Sequence, residues 1–149
     1  MIVDLLRNDL ARVCSPDSLA VPQLCGLEDY GYVQHLVSVV RGELQPGASI
    51  VDLLRAAFPG GSITGAPKVR SMEIISELER TGRGAYCGSL GYIGFDGTCD
   101  FNILIRTVTA CGGWWQMQVG GGITSASVPK REYEETWHKA AGVLKGIMQ

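Results

Sequence analysis

Histidine is scarce in this chain of 149 residues: only His35 and His138 occur, and the five cysteines form no Cys-x-x-Cys pair. That shortage argues against a nitrogen-rich transition-metal site and against structural zinc. Cys14, Cys25, Cys87, Cys99 and Cys111 are odd in number and widely spaced, a pattern of reduced thiols and not of a disulfide framework. Any metal is therefore expected to be a hard ion held by oxygen. No basic run exists to neutralise phosphates, and the formal net charge is -2, which sets nucleic acid aside as a partner. No apolar stretch approaches the roughly 18 to 20 residues needed to span a bilayer. The segment beginning at Met1 is amphipathic and charged, unlike a secretory leader, so the default expectation is a soluble cytoplasmic protein without a membrane anchor.

What is present is a chain with 46% hydrophobic residues, enough to bury the core of a single globular domain over residues 1–149. Ile2, Leu5, Leu6 and Leu10 recur at helical intervals, with Asp4, Arg7, Asn8 and Asp9 at polar positions, predicting a helix over 1–13 that lacks a capping residue. A turn at Ser15-Pro16-Asp17 precedes strand patterns over 19–25 and 32–44. Ser49 is placed to cap a helix running through Phe58, and a further helix is predicted from Val69 to Arg80. An Asp96-Gly97 turn between apolar, β-branched runs predicts a long hairpin of 85–95 with 100–110, followed by a strand over 114–119 and a final helix over 129–147. Helices mixed with antiparallel hairpins, without regular strand and helix alternation, predict an α+β class.

Two constellations stand out. The first is Gly120-Gly121-Gly122 followed by the helix bearing Glu132, Glu135 and Lys139, which an advance of about 100° per residue brings to one side. Read plainly, the triplet is a bulge and Glu135 with Lys139 an ordinary i,i+4 ion pair. Read functionally, the triplet is a nest of bare N–H groups for a carboxylate, beside carboxylates that take magnesium. The second is the loop 59–68, where Ser62, Thr64 and Lys68 with the next helix's N-terminus suit an anion, or else form a plain helix connection. Its Ala-Pro-Lys ending excludes a Walker loop. His35 on a strand is by itself most simply a core histidine and Tyr86 a packing residue. Arg106, in an otherwise apolar strand, requires an anion, either a ligand carboxylate or an internal acid.

Together these segments resemble the chorismate-utilising enzymes. The matching stretches are Ile2-Val3-Asp4-Leu5-Leu6-Arg7-Asn8-Asp9, Val33 through Ser38, Phe58 through Lys68, Tyr86-Cys87-Gly88-Ser89-Leu90-Gly91-Tyr92, Ile105-Arg106-Thr107, Gly120 through Ile123, and Glu132 through Lys139. Phe58 through Lys68 with Met72-Glu73-Ile74-Ile75 looks most like the aminodeoxychorismate synthases of folate synthesis, with the anthranilate synthases next. The resemblance implies that Glu135 ligates Mg2+ and that Glu132 does so directly or through water. Gly121, Gly122 and Lys139 would hold the substrate's ring carboxylate, and Tyr86 and Arg106 its enolpyruvyl carboxylate. Ser62 would lie near the ring and His35 beside the departing C4 hydroxyl, completing a catalytic set with Lys139.

The reaction implied is amination of chorismate to 4-amino-4-deoxychorismate with loss of the C4 hydroxyl, a lysine adding first at C2 so that ammonia, arriving from a glutamine amidotransferase subunit, displaces it with the nitrogen at C4. The family pattern places a nucleophilic lysine and a further magnesium glutamate ahead of the segment beginning at Met1. The expectation is therefore a C-terminal portion of the catalytic domain, inactive alone, with uncovered apolar surface and a tendency to self-associate.

Overall fold

A computed structural model describes residues 1–31 and 34–148. The chain divides into two compact units, Met1–Ser76 and Glu77–Gln149. In the first, α1 (Ile2–Ala11) leads through a 3-10 turn at Pro16–Ser18 into a ribbon of β1 (Ala20–Asp29) and β2 (Gln34–Arg41). Three helices follow, α2 (Ile50–Ala57), the single-turn α3 (Gly61–Thr64), and α4 (Lys68–Leu78), whose last two residues fall in the second unit. Of the strand predicted over 32–44, positions 32 and 33 lie outside the described residues. The first strand outruns its predicted 19–25 because two register shifts, with Cys25 at φ 51°, let the ribbon continue past the irregularity.

Helix α1 starts without a side-chain cap, as expected. Its buried side differs from the predicted one: Ile2 and Leu6 are exposed, whereas Asp9 is buried. Ser49 caps α2 through a full capping box, its hydroxyl accepting from the Asp52 amide at 3.3 Å while Asp52 Oδ2 accepts from the Ser49 amide at 2.9 Å. Ser49→Ala is expected to cost about 1 kcal/mol. A lower urea midpoint at unchanged slope would show it.

The second unit holds two more ribbons, β3 (Gly91–Ile93) with β4 (Cys99–Phe101) and β5 (Val108–Cys111) with β6 (Trp114–Met117), and ends in α5 (Pro129–Ile147). The predicted hairpin of 85–95 with 100–110 is much shorter as regular strand. Its pairing persists irregularly, since the Asn102 amide donates to the Leu90 carbonyl, and Leu104 and Cys87 exchange bonds with Gly88 and Leu104 carbonyls at 2.9 Å. Left-handed backbone at Cys87 (φ 65°) and Arg106 (φ 52°) ends the regular ladder on both arms. All five cysteines are free thiols. Among the described residues the buried apolar side chains are Cys14, Ala56 and Ala140. Trp114, Trp115, Phe95, Leu78 and Leu27 are among many large apolar side chains left exposed. Among the described residues no helix is long and apolar enough to cross a membrane.

Candidate functional site

Helix α5 sets the geometry in the second unit. Proline in its first turn fixes the start, Glu132 lies in that turn, and Glu135 and Lys139 follow on the same side. Lys139 Nζ sits 2.6 Å from Glu135 Oε1, the i,i+4 pair that the spacing predicts. It also donates to the Gly120 carbonyl at 3.2 Å, a tether to the glycine segment that spacing on the helix does not reveal. A Cβ built on Gly121 would stand 3.4 Å from Glu132 Oε2, 3.6 Å from Lys139 Nζ and 4.0 Å from Glu135 Oε1. Two carboxylates and an ammonium thus converge on space kept open by a missing side chain. The ammonium and its hydrogen bond hold the Glu135 carboxyl below the usual carboxylate range.

The triplet does not have the backbone of a nest. None of Gly120, Gly121 and Gly122 has a positive φ, so the left-handed alternation that a nest uses is absent. Close approach is what calls for glycine at Gly120, where a Cβ would meet the Tyr86 hydroxyl at 2.8 Å. The Gly122 Cβ position is open.

Tyr86 lies on a turn and not on the predicted strand, because the ladder has already given way at Cys87. Burial is the main cause pushing its hydroxyl further up from the ordinary tyrosine range. Arg83 supports the ring from 5.7 Å while forking onto Glu79 with bonds of 2.7 and 2.6 Å. Arg106 was expected inside a strand. It occupies an exposed bend at φ 52°, and among the described residues no internal acid pairs with it. Neither anionic partner is required there, since an exposed guanidinium is solvated by water.

The first unit holds the other two candidates. His35 is half-buried on β2 opposite Glu28, with the Tyr30 ring edge-on at 5.6 Å, so it is no core histidine. Tyr30 in turn donates to Glu28 Oε2 at 2.6 Å. Ser62 is exposed on α3. Around it the loop differs from an anion cradle: Lys68 Nζ is 2.7 Å from Asp9 Oδ1, and the Thr64 hydroxyl donates to the Gly60 carbonyl at 3.2 Å. Both groups are spent on internal partners, leaving Ser62 as the loop's candidate. Asp9 itself was missed by sequence reasoning.

Whether magnesium suits this chain is decided by the donor set. Glu132 and Glu135 offer hard oxygens around open space, while the Lys139 ammonium against Glu135 would have to move aside for a cation to share that carboxylate. Among the described residues no group of three or more His, Cys, Asp or Glu could hold a metal. Two carboxylates still fit an ion that keeps waters and takes a substrate oxyanion as a further ligand.

A sequence profile described as chorismate binding enzyme matches residues 1–145. The chain is 53% identical over 147 residues to aminodeoxychorismate synthase component 1 of Streptomyces lividans, covering 99% of this chain and 31% of that protein. It is 46% identical over 147 residues to anthranilate synthase component 1 of Thermus thermophilus, covering 99% of this chain and 32% of that protein. The crystal structure of anthranilate synthase component I from Streptococcus pneumoniae superimposes with a TM-score of 0.88 at 41% identity, over 96% of this chain and 33% of that one. The chain thus spans about a third of the length of the curated relatives it matches.

Proposed function

The chain belongs to the chorismate-binding enzyme family, and from that premise we propose that it carries part of a chorismate site of the aminodeoxychorismate synthase type. The observation that carries this reading is the convergence of Glu132, Glu135 and Lys139 on the open face of Gly121. Such a place takes a carboxylate and a divalent cation together. Glu132 and Glu135 would hold magnesium, whose charge would neutralise the ring carboxylate as electron density shifts around the ring.

The chain's own residues would do the rest. Lys139 would turn from Glu135 to the ring carboxylate, with the Gly121 and Gly122 amides beside it. The Tyr86 hydroxyl, protonated at neutral pH like any tyrosine, would donate to the enolpyruvyl carboxylate, and the exposed Arg106 would supply its counter-charge. Within the first unit, taken by itself, the family resemblance would give Ser62 a role toward the ring and His35 the proton exchanged as the C4 hydroxyl leaves. Ammonia would come from a glutamine amidotransferase subunit in the cytoplasm. The higher identity to aminodeoxychorismate synthase component 1, 53% against 46%, supports the folate branch over anthranilate formation.

With two carboxylates at the site, binding without turnover is the expected behaviour of the 149-residue chain. Calorimetry with chorismate should give heat in magnesium and little in its absence, with no new product detected by chromatography. No heat in either condition would overturn the chorismate reading and leave a structural role. Turnover would overturn the expectation of an inactive chain.

A further inference from the structure

Asp9 is a charged group in the buried interior of the first unit, with only 3% of its side chain exposed. Its Oδ1 receives Lys68 Nζ at 2.7 Å, and its Oδ2 accepts the Gly61 amide at 3.1 Å. Lys68 also reaches the Ala56 carbonyl at 3.4 Å. One carboxylate on α1 therefore ties down the first residue of α3 and the first residue of α4, and its lysine adds the end of α2. The fit is close, since a Cβ on Gly61 would stand 3.0 Å from Leu5 Cβ and 3.3 Å from Asp9 Oδ2. Gly61 and Lys68 bracket the loop that carries Ser62.

A buried ion pair is a poor source of net stability, because desolvation offsets much of the attraction, and replacing both partners with apolar side chains of similar volume is often harmless. Two directional, charge-assisted bonds from a single carboxylate do supply fixed geometry. We propose that Asp9 is a positioning residue, which through Gly61 and Lys68 holds the Ser62 loop in the conformation that receives ligand. This rests on the reading above that Ser62 lies against the chorismate ring.

The test uses the full chain as Asp9→Leu, Lys68→Met and the double variant, with three readouts: urea midpoint, hydrogen exchange of the amides from Gly61 to Gly65, and chorismate affinity in magnesium. Each single variant is expected to lower the midpoint, since it strands a buried partner, and the double variant to recover most of that loss. Exchange in the loop should nevertheless stay about tenfold faster in the double variant, while the β1–β2 ribbon keeps its protection. Chorismate affinity should likewise stay about tenfold weaker, which a purely structural pair would not produce. Loop protection or affinity returning to wild type together with the midpoint would overturn the inference. Absence of binding by the wild-type chain would instead refute the chorismate reading, whereas loss of loop pinning is read by exchange without any ligand.

Discussion

Glu132→Gln with Glu135→Gln is expected to abolish the magnesium-dependent part of chorismate binding, a loss of at least about 100-fold, or ~2.7 kcal/mol. Partners that merely support metal ligands are already worth about 10- to 100-fold, so removal of the ligands themselves should exceed that range. The competing explanation is a weakened helix. Magnitudes separate the two, because the exposed Glu135–Lys139 pair is worth only about 0.3 kcal/mol as an i,i+4 contact. Thermal melting should therefore hardly change while calorimetric affinity collapses, and Mn2+ binding followed by its paramagnetic signal should disappear in parallel. Unchanged Mn2+ affinity in the double variant would remove these carboxylates from the metal's coordination.

Helix ends were legible wherever local chemistry decides them. Pro129 at the first turn and the stripe of Tyr133, Trp137 and Leu144 set α5, and the Ser49 with Asp52 capping box set α2. Strand lengths were less legible, since alternation from 85 to 110 does not disclose that Cys87 and Arg106 adopt left-handed backbone. An arginine there reads as a strand residue in sequence and is an exposed bend in space, which changes its role from buried charge to available one.

The site was legible in type but not in mechanism of support. Spacing alone put Glu132, Glu135 and Lys139 on one side of a helix, and the Lys139 to Gly120 bond that ties this helix to the glycine segment depends on tertiary placement. Asp9 shows the reverse failure. Counting i, i+3, i+4 and i+7 from Ile2 lands on Leu5, Leu6 and Asp9, so an acid on the apolar face was visible as a conflict with the helix pattern. A buried carboxylate requires a cation, and Lys68, which closes the distant glycine and proline loop, could not be paired with Asp9 from sequence separation alone.

Gly121→Ala should separate the cation from the carboxylate it helps to hold. Gly121 has no positive φ, so alanine meets no backbone strain, and its methyl would make ordinary contacts of 3.4 to 4.0 Å with the Glu132, Lys139 and Glu135 side chains. The fold should therefore survive with an unchanged melting temperature. The methyl would nonetheless occupy the space in which a substrate carboxylate meets those groups, displacing it or forcing Lys139 aside. Chorismate affinity is expected to fall by about 30-fold, some 2 kcal/mol, with Mn2+ affinity changed less than about threefold. Gly120→Ala acts at the other end, because its methyl would press on the Tyr86 hydroxyl at 2.8 Å. That variant should weaken chorismate while sparing benzoate, which has a ring carboxylate and no enolpyruvyl group, whereas Gly121→Ala should weaken both. If Gly121→Ala bound chorismate as wild type does, the ring carboxylate would have to lie elsewhere, and the convergence of charges at Gly121 would reduce to a helix ion pair.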